Sequence, residues 1–201
     1  MIKNIVFDMG GVLIEFRPEY FIEKANLSAE DSRLILQRVF HTAEWPMMDR
    51  GSLNEEEAFE ILASRLPERF RDIVHSMIFD WNVPLKPVPG MAEYIRELKE
   101  RGYGIYLLSN ASRRQPEYWD NIPGSECFSG KLISYEIQRV KPEHEIYEEL
   151  CRRFGLKAEE CVFIDDSGIN VEAAIFSGMK GIVFYGDTAL LRQQLEEILN
   201  K

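Results

Sequence analysis

The sequence predicts an α/β fold: a mostly parallel sheet with helices on both faces, carrying a small inserted lobe made only of helices. Two observations carry this. From residue 87 onward, short apolar runs alternate with amphipathic helical stretches, the pattern of strands joined by crossover helices. One further apolar run, Ile5-Val6-Phe7, stands near the start, and from about Phe16 to Lys86 only helical patterns follow it.

The elements read in order as follows. Residues 3–8 form the first strand. Ser28 begins a helix. Ser52-Leu53-Asn54-Glu55 reads as a capping box ahead of Ala58, Phe59, Ile61 and Leu62. Pro67 opens a further helical stretch with Phe70, Ile73, Val74, Met77 and Ile78 at helical spacing. The proline-rich run Val83-Pro84-Leu85-Lys86-Pro87-Val88-Pro89-Gly90 breaks regularity and reads as a return hinge. Beyond it come a helix over 91–101 ending at Gly102 and a strand over 103–108 running into Ser109-Asn110. A helix follows that carries Pro116 and Trp119, then a short strand over 132–137. A helix over 143–154 is closed by Gly155, and a strand over 162–164 stops on Asp165-Asp166. A helix over 170–177, a strand over 182–185 and a helix over 189–199 complete the chain.

The core is therefore expected to be discontinuous, residues 1–16 plus 87–201, with a helical cap over 17–86. A lobe inserted just past the first strand's carboxyl end sits over that edge. Its natural work is to cover a ligand and exclude water.

The composition narrows the partners. With 201 residues, 45% hydrophobic, the chain can bury one good core and a small lobe. Its formal net charge of -10 argues against nucleic acid and against an anionic membrane surface, both of which require clustered Lys and Arg. There is no signal-peptide-like segment and none long enough to cross a bilayer, so a cytoplasmic location is expected. Cys127, Cys151 and Cys161 form no CxxC pair and suit a reducing compartment. His41, His75 and His144 lack zinc-ligand spacing. Gly10-Gly11 lacks the GxGxxG spacing of a dinucleotide site. The oligomeric state is left open.

Chemistry gathers at strand ends. Asp8 ends the first strand and runs into Met9-Gly10-Gly11-Val12, which places a carboxylate at the sheet edge where open α/β folds collect ligands. It can be a nucleophile, a metal ligand or both. Ser109-Asn110 and Asp165-Asp166 end two further strands, and Lys141 precedes a helix. Singly, each has a plain reading as a turn, a cap or a surface residue. The adjacent Asp165 and Asp166 demand positive compensation, from a metal ion, from Lys141 or from both.

Together these residues resemble the four motifs of the haloacid dehalogenase-like superfamily. Asp8-Met9-Gly10-Gly11-Val12 is similar to its first motif, Ser109 to the second, Lys141 to the third, and Asp165-Asp166 with Asn170 to the fourth. Residues 107–111, 140–147 and 163–173 resemble the bacterial branch related to α-glucose-1-phosphatase. The resemblance implies a Rossmann-like three-layer core, a helical cap of the C1 type, and a Mg²⁺-dependent phosphatase of small phosphorylated metabolites, such as sugar phosphates. It implies an aspartyl-phosphate on Asp8, with Asp8, Asp166 and the Gly10 carbonyl as metal ligands. Ser109, Asn110, Lys141 and the amides of Met9 and Gly10 would bind the phosphoryl group. Asp165 would orient Lys141, and Asn170 would hold Asp166 or a metal-bound water.

One departure matters. Most phosphatases of this superfamily place a second Asp two residues after the nucleophile, as acid and base. This chain has Gly10 there. A good leaving group, Glu15, or a cap carboxylate could compensate. The alternatives are a haloacid dehalogenase, or a catalytically weak module that binds phosphorylated ligands. In the cap, Phe40, Trp45, Met47, Met48 and Trp81 read as core, with Trp45 able to stack on a sugar. Arg113 and Arg114 follow the Ser109-Asn110 edge, where they could touch substrate, but read first as surface charge.

Overall fold

The structure, a computed structural model, describes residues 1–17, 19–80 and 85–200. Trp81 and the Val83-Pro84 part of the expected hinge lie outside them. The strands β1 (Asn4–Phe7), β2 (Gly104–Ser109), β3 (Gly130–Ile133), β4 (Cys161–Asp165) and β5 (Lys180–Val183) form one sheet. Its order is β3-β2-β1-β4-β5 and every neighbouring pair is parallel. Strand β1 is central and covered on both sides, which is why Ile5, Val6 and Phe7 are all apolar and wholly buried.

The helices are α1 (Glu19–Lys24), α2 (Ala29–Ile35), α3 (Glu44–Arg50), α4 (Glu55–Ser64), α5 (Arg71–Phe79) and α6 (Met91–Glu100). They continue as α7 (Gln115–Tyr118), α8 (Ser134–Ile137), α9 (His144–Phe154), α10 (Gly168–Phe176) and α11 (Thr188–Leu199). Alternate strand residues divide between the sheet's faces. Ile5, Phe7, Leu107 and Ile164 pack with Ile95, Leu98 of α6 and Leu195 of α11. Val6, Leu108 and Phe163 pack with Ile146, Tyr147, Leu150 of α9 and Ala174 of α10. This is a three-layer, Rossmann-like core.

Residues 19–79 supply helices and a cluster of their own, including Ile35, Val39, Leu62, Phe70, Val74 and Met77. The chain leaves and re-enters the core side by side: Glu15 N–H donates to Lys86 O at 2.8 Å, and Val88 N–H to Leu13 O at 2.9 Å.

Three expectations about elements are corrected. The cap of α4 is Asn54, whose side chain accepts from Glu57 N–H at 2.8 Å. Ser52 belongs to the end of α3 instead, because the Ser52 and Leu53 amides still reach back to Met47 O. The strand expected over 132–137 ends at Ile133, where Ser134 turns the chain into α8 with its hydroxyl on main-chain oxygens of Asp49 and Ala111. The last strand ends at Val183, two residues early: Phe184 is buried but Tyr185 is 77% exposed. Among the described residues, no helix is long and apolar enough to cross a membrane, and Cys127, Cys151 and Cys161 are free.

Candidate active site

Strands β2, β1 and β4 are neighbours in parallel register, so their carboxyl ends meet at one edge. The strand order runs outward from β1 to β3 and then returns to β4 on the other side. Such a reversal opens the crevice where α/β sheets bind ligands. Asp8 follows β1, Ser109 closes β2, Asp165 closes β4, and Asp166 comes next.

Lys141 ties this edge together. Its Nζ lies 2.7 Å from Asp8 Oδ1 and 2.7 Å from Asp165 Oδ2, and donates to Leu108 O at 3.0 Å. Its main chain is gripped by Asn110, which accepts from Lys141 N–H at 2.8 Å and donates to Lys141 O at 3.0 Å. The Asn110 side chain therefore acts on Lys141, and the residue also lines the cavity described below. Asp165 is held from behind as well, accepting from Ser167 N–H at 2.8 Å and from Asn170 Nδ2 at 3.1 Å. Asn170 was expected on Asp166 or a metal-bound water. It lies in the first turn of α10, where its side chain turns back onto Asp165.

The charges do not balance. Three carboxylates, Asp8, Asp165 and Asp166, present oxygens within 4.8 Å of one another, and Lys141 is the ammonium among them. Burial pushes Asp8 up to about 7, with Lys141 opposing and Asp165 adding to the rise. Burial also works against the charge on Lys141, but Asp8 and Asp165 outweigh it and hold the ammonium protonated. Asp166 is raised by burial and then by Asp165. Such excess negative charge among hard oxygen donors suits a divalent cation such as Mg²⁺. The backbone is shaped for it: Gly11 has φ +74°, and a Cβ there would lie 2.2 Å from Asp166 Oδ2. Only glycine leaves room for that carboxylate. Asp8, Asp166 and the Gly10 carbonyl could hold the ion, since both oxygens of Asp165 are already engaged.

A cavity of about 300 Å³ opens above Asp8. Its core side is formed by Met9, Gly10, Ser109, Asn110, Ser112, Arg114 and Asp166, and its cap side by Trp45, Met48, Asp49, Glu55 and Ile78. Met9, Gly10 and Ser109 are thus placed together with Asp8. Glu15 pairs with Lys86 at 2.8 Å, beside the chain crossing and outside the cavity lining. Arg113 is exposed and Arg114 partly buried. Both reach the cap, through Gly51 O at 3.2 Å and Phe79 O at 2.9 Å respectively, and Arg114 also lines the cavity. Of the expected cap residues, Phe40 is buried in the cap cluster, Met47 is exposed, and Met48 and Trp45 face the cavity.

The sequence reading missed Asp49 and Glu55. Asp49 carries a usable signal: it sits in the last turn of α3, where the helix dipole disfavours an anion. Burial, followed by the charge of Asp8, pushes it up to about 7. Glu55 opens α4, is 6% exposed, and has one oxygen, Oε1, without a partner among the described residues. A first-turn Glu is ordinary in a helix, so nothing in the pattern marks it.

A protein-family model described as haloacid dehalogenase-like hydrolase matches residues 2–178. The chain is 28% identical over 187 residues to a sesquiterpene phosphatase of Aspergillus oryzae, spanning 90% of this chain and 88% of that protein. It is 27% identical over 214 residues to the D-ribitol-5-phosphate phosphatase of Bacteroides thetaiotaomicron, spanning 100% of both. Among solved structures, a HAD family enzyme of Bacteroides thetaiotaomicron, crystallised with magnesium and inorganic phosphate, has the same fold. The TM-score is 0.73 at 23% identity, over 95% of this chain and 99% of that one.

Proposed function

The chain belongs to the haloacid dehalogenase-like hydrolases, and from that premise we propose that it is a Mg²⁺-dependent phosphatase of small phosphorylated metabolites, sugar and sugar-alcohol phosphates foremost. The observation that carries this is Lys141 Nζ set 2.7 Å from Asp8, which lines the cavity together with Asp166.

Asp8 attacks phosphorus and becomes an aspartyl-phosphate, which water then hydrolyses. Lys141 faces both Asp8 and the incoming phosphoryl oxygens, so negative charge develops beside a fixed ammonium. The Ser109 hydroxyl and the amides of Met9 and Gly10 would supply hydrogen-bond donors to those oxygens. Asn110 and Asp165 act through Lys141 by holding its main chain and its ammonium, and Asn170 acts through Asp165. Bound by Asp8, Asp166 and the Gly10 carbonyl, Mg²⁺ would supply the positive charge that lets a carboxylate approach a phosphate dianion.

The cavity walls are mixed, with Ile14, Phe16, Met48 and Ile78 among the apolar residues, and the polar groups on them would meet a hydroxylated leaving group. Asp49, Glu55 and Ser112 present polar atoms, and Trp45 offers an aromatic face. The test is turnover with Mg²⁺, and with Mg²⁺ chelated, on hexose and pentitol phosphates, a prenyl phosphate, 4-nitrophenyl phosphate and a 2-haloacid. Expected are metal-dependent cleavage of the sugar and sugar-alcohol esters and loss of turnover to background in Asp8→Asn. Undiminished turnover in that variant refutes the mechanism. Metal-independent release of halide favours a dehalogenase. Esters that raise the melting temperature without being cleaved favour a binding module, and preference for the prenyl ester overturns the substrate class.

A further inference from the structure

We propose that Asp49, on the cap helix α3, is the general acid and base of the reaction, supplying from across the cavity the carboxyl group that Gly10 cannot. This rests on the phosphatase reading above.

The geometry that supports it is specific. Gly10 faces the cavity with no side chain, and a Cβ there would already stand 3.3 Å from Phe16 Cβ. The first-strand loop therefore delivers no proton donor of its own. Asp49 lines the same cavity as Asp8 from the opposite wall. Its backbone is anchored to the core, since Ser134 Oγ donates to Asp49 O, and the next two residues, Arg50 and Gly51, are also bound by core groups. The carboxyl group thus rides on a helix end pinned at the rim of the site.

Other carboxylates are worse placed. Glu15 pairs with Lys86 and does not line the cavity. Asp165 is saturated by Lys141, Ser167 and Asn170. Asp166 lies against Gly11 with the metal-binding group. Glu55 lines the cavity, but the charge felt most strongly by Asp49 is that of Asp8, then Lys141, and only then Glu55. Glu55 shares the cavity lining with Asp49, and the paired variants below decide between the two.

The groups facing Asp49 are Asp8 and Lys141 from the core, Glu55 from α4, and Tyr118 from α7. Burial and the two neighbouring carboxylates keep the proton on Asp49 up to about 7, against the pull of Lys141. An acid poised near neutrality is efficient in both directions of transfer. In the first step the bond from phosphorus to the ester oxygen breaks as the bond from Asp8 forms, and the Asp49 proton passes to the leaving oxygen, releasing the alcohol. In the second step the Asp49 carboxylate takes a proton from water as that oxygen bonds to phosphorus. The Asp8–phosphorus bond then breaks, and both carboxyl groups are restored.

The experiment compares kcat/KM for the parent, Asp49→Asn and Glu55→Gln across monoesters from 4-nitrophenyl phosphate to a pentitol phosphate. For Asp49→Asn the expected loss is about 10²–10⁴-fold on the pentitol ester and under about tenfold on the nitrophenyl ester, whose phenolate leaves without a proton. The same variant should release one equivalent of nitrophenol in a burst and then turn over slowly, because the base of the second step is gone. Glu55→Gln should change all esters alike. A loss in Asp49→Asn that is equal across the series, or no loss, overturns the proposal while leaving the phosphatase reading intact. A parent inactive on every ester overturns both. Should Asn disturb folding, Asp49→Ser serves the same comparison.

Discussion

The two walls of the cavity are built differently. On the core wall the lysine system is held by several groups: Lys141 is bound through its ammonium to Asp8, Asp165 and Leu108 O, and through its main chain to Asn110. Asp165 is braced again by Ser167 and Asn170. The cap wall, by contrast, is a short helix, α3, with the start of α4 and Ile78 near the end of α5. It is fastened to the core by Ser134 on Asp49 O, by Arg50 on Glu143 and Gln138 O, and by Arg113 on Gly51 O. Its fasteners are polar and several are half exposed. A fold built this way holds the core wall rigid while leaving the cap wall open to change.

The contrast is sharpened by substitutions on each side. The largest effect is expected from Lys141→Met. Removing the ammonium leaves Asp8 and Asp165 facing each other unpaired, a loss of roughly 3–5 kcal/mol read by urea unfolding of the metal-free protein, with no measurable turnover. Gly11→Ala comes next on the core side. The new methyl must displace the Asp166 carboxylate, so the Mg²⁺ concentration for half-activation should rise roughly 10–100-fold at unchanged substrate affinity.

On the cap side, Gly51→Ala places a non-glycine residue at φ +75° with its Cβ 2.8 Å from Tyr135 O. About 1–3 kcal/mol of strain should appear as a lower melting temperature and a higher KM. The smallest effect is expected from Arg50→Ala, which removes a half-exposed pair with Glu143 worth under about 1 kcal/mol. KM should rise a few-fold with kcat retained. Arg50 holds Glu143 below the ordinary carboxylate range, so the link is complete above pH 4.5 and is lost as pH falls through the lower folded value. Parent and variant should converge in acid. If cap substitutions instead lower kcat as severely as Lys141→Met, the division between the two walls is wrong.

The legible part of the site lay where strands end. Asp8, Ser109 and Asp165-Asp166 each close an apolar run, and parallel strands placed side by side must bring such ends together. Lys141 was readable through its acidic partners. The roles of Asn110 and Asn170 were not, because a side-chain amide's partner depends on which way it turns, and both turned toward the lysine system. Arg113 and Arg114 read as surface because the nearby cap oxygens belong to residues 51 and 79, far away in sequence. The Ser52 cap and the late end of β5 failed for a local reason: hydrogen bonds back to Met47 O, and the register of β5 against β4, override the pattern of residue types.

By itself the sequence determined the α/β class, the helical insertion after the first strand, and the carboxylates and lysine at the sheet edge. Those follow from periodicity and from where polar residues interrupt apolar runs, which are properties of neighbours along the chain. Tertiary structure alone decided that Asp49 faces Asp8, that Glu55 is buried with a bare oxygen, and that Gly11 yields its space to Asp166. These are contacts between the cap and the core, or across the sheet edge, set by how the helical lobe seats on the strands, and no local spacing encodes that placement.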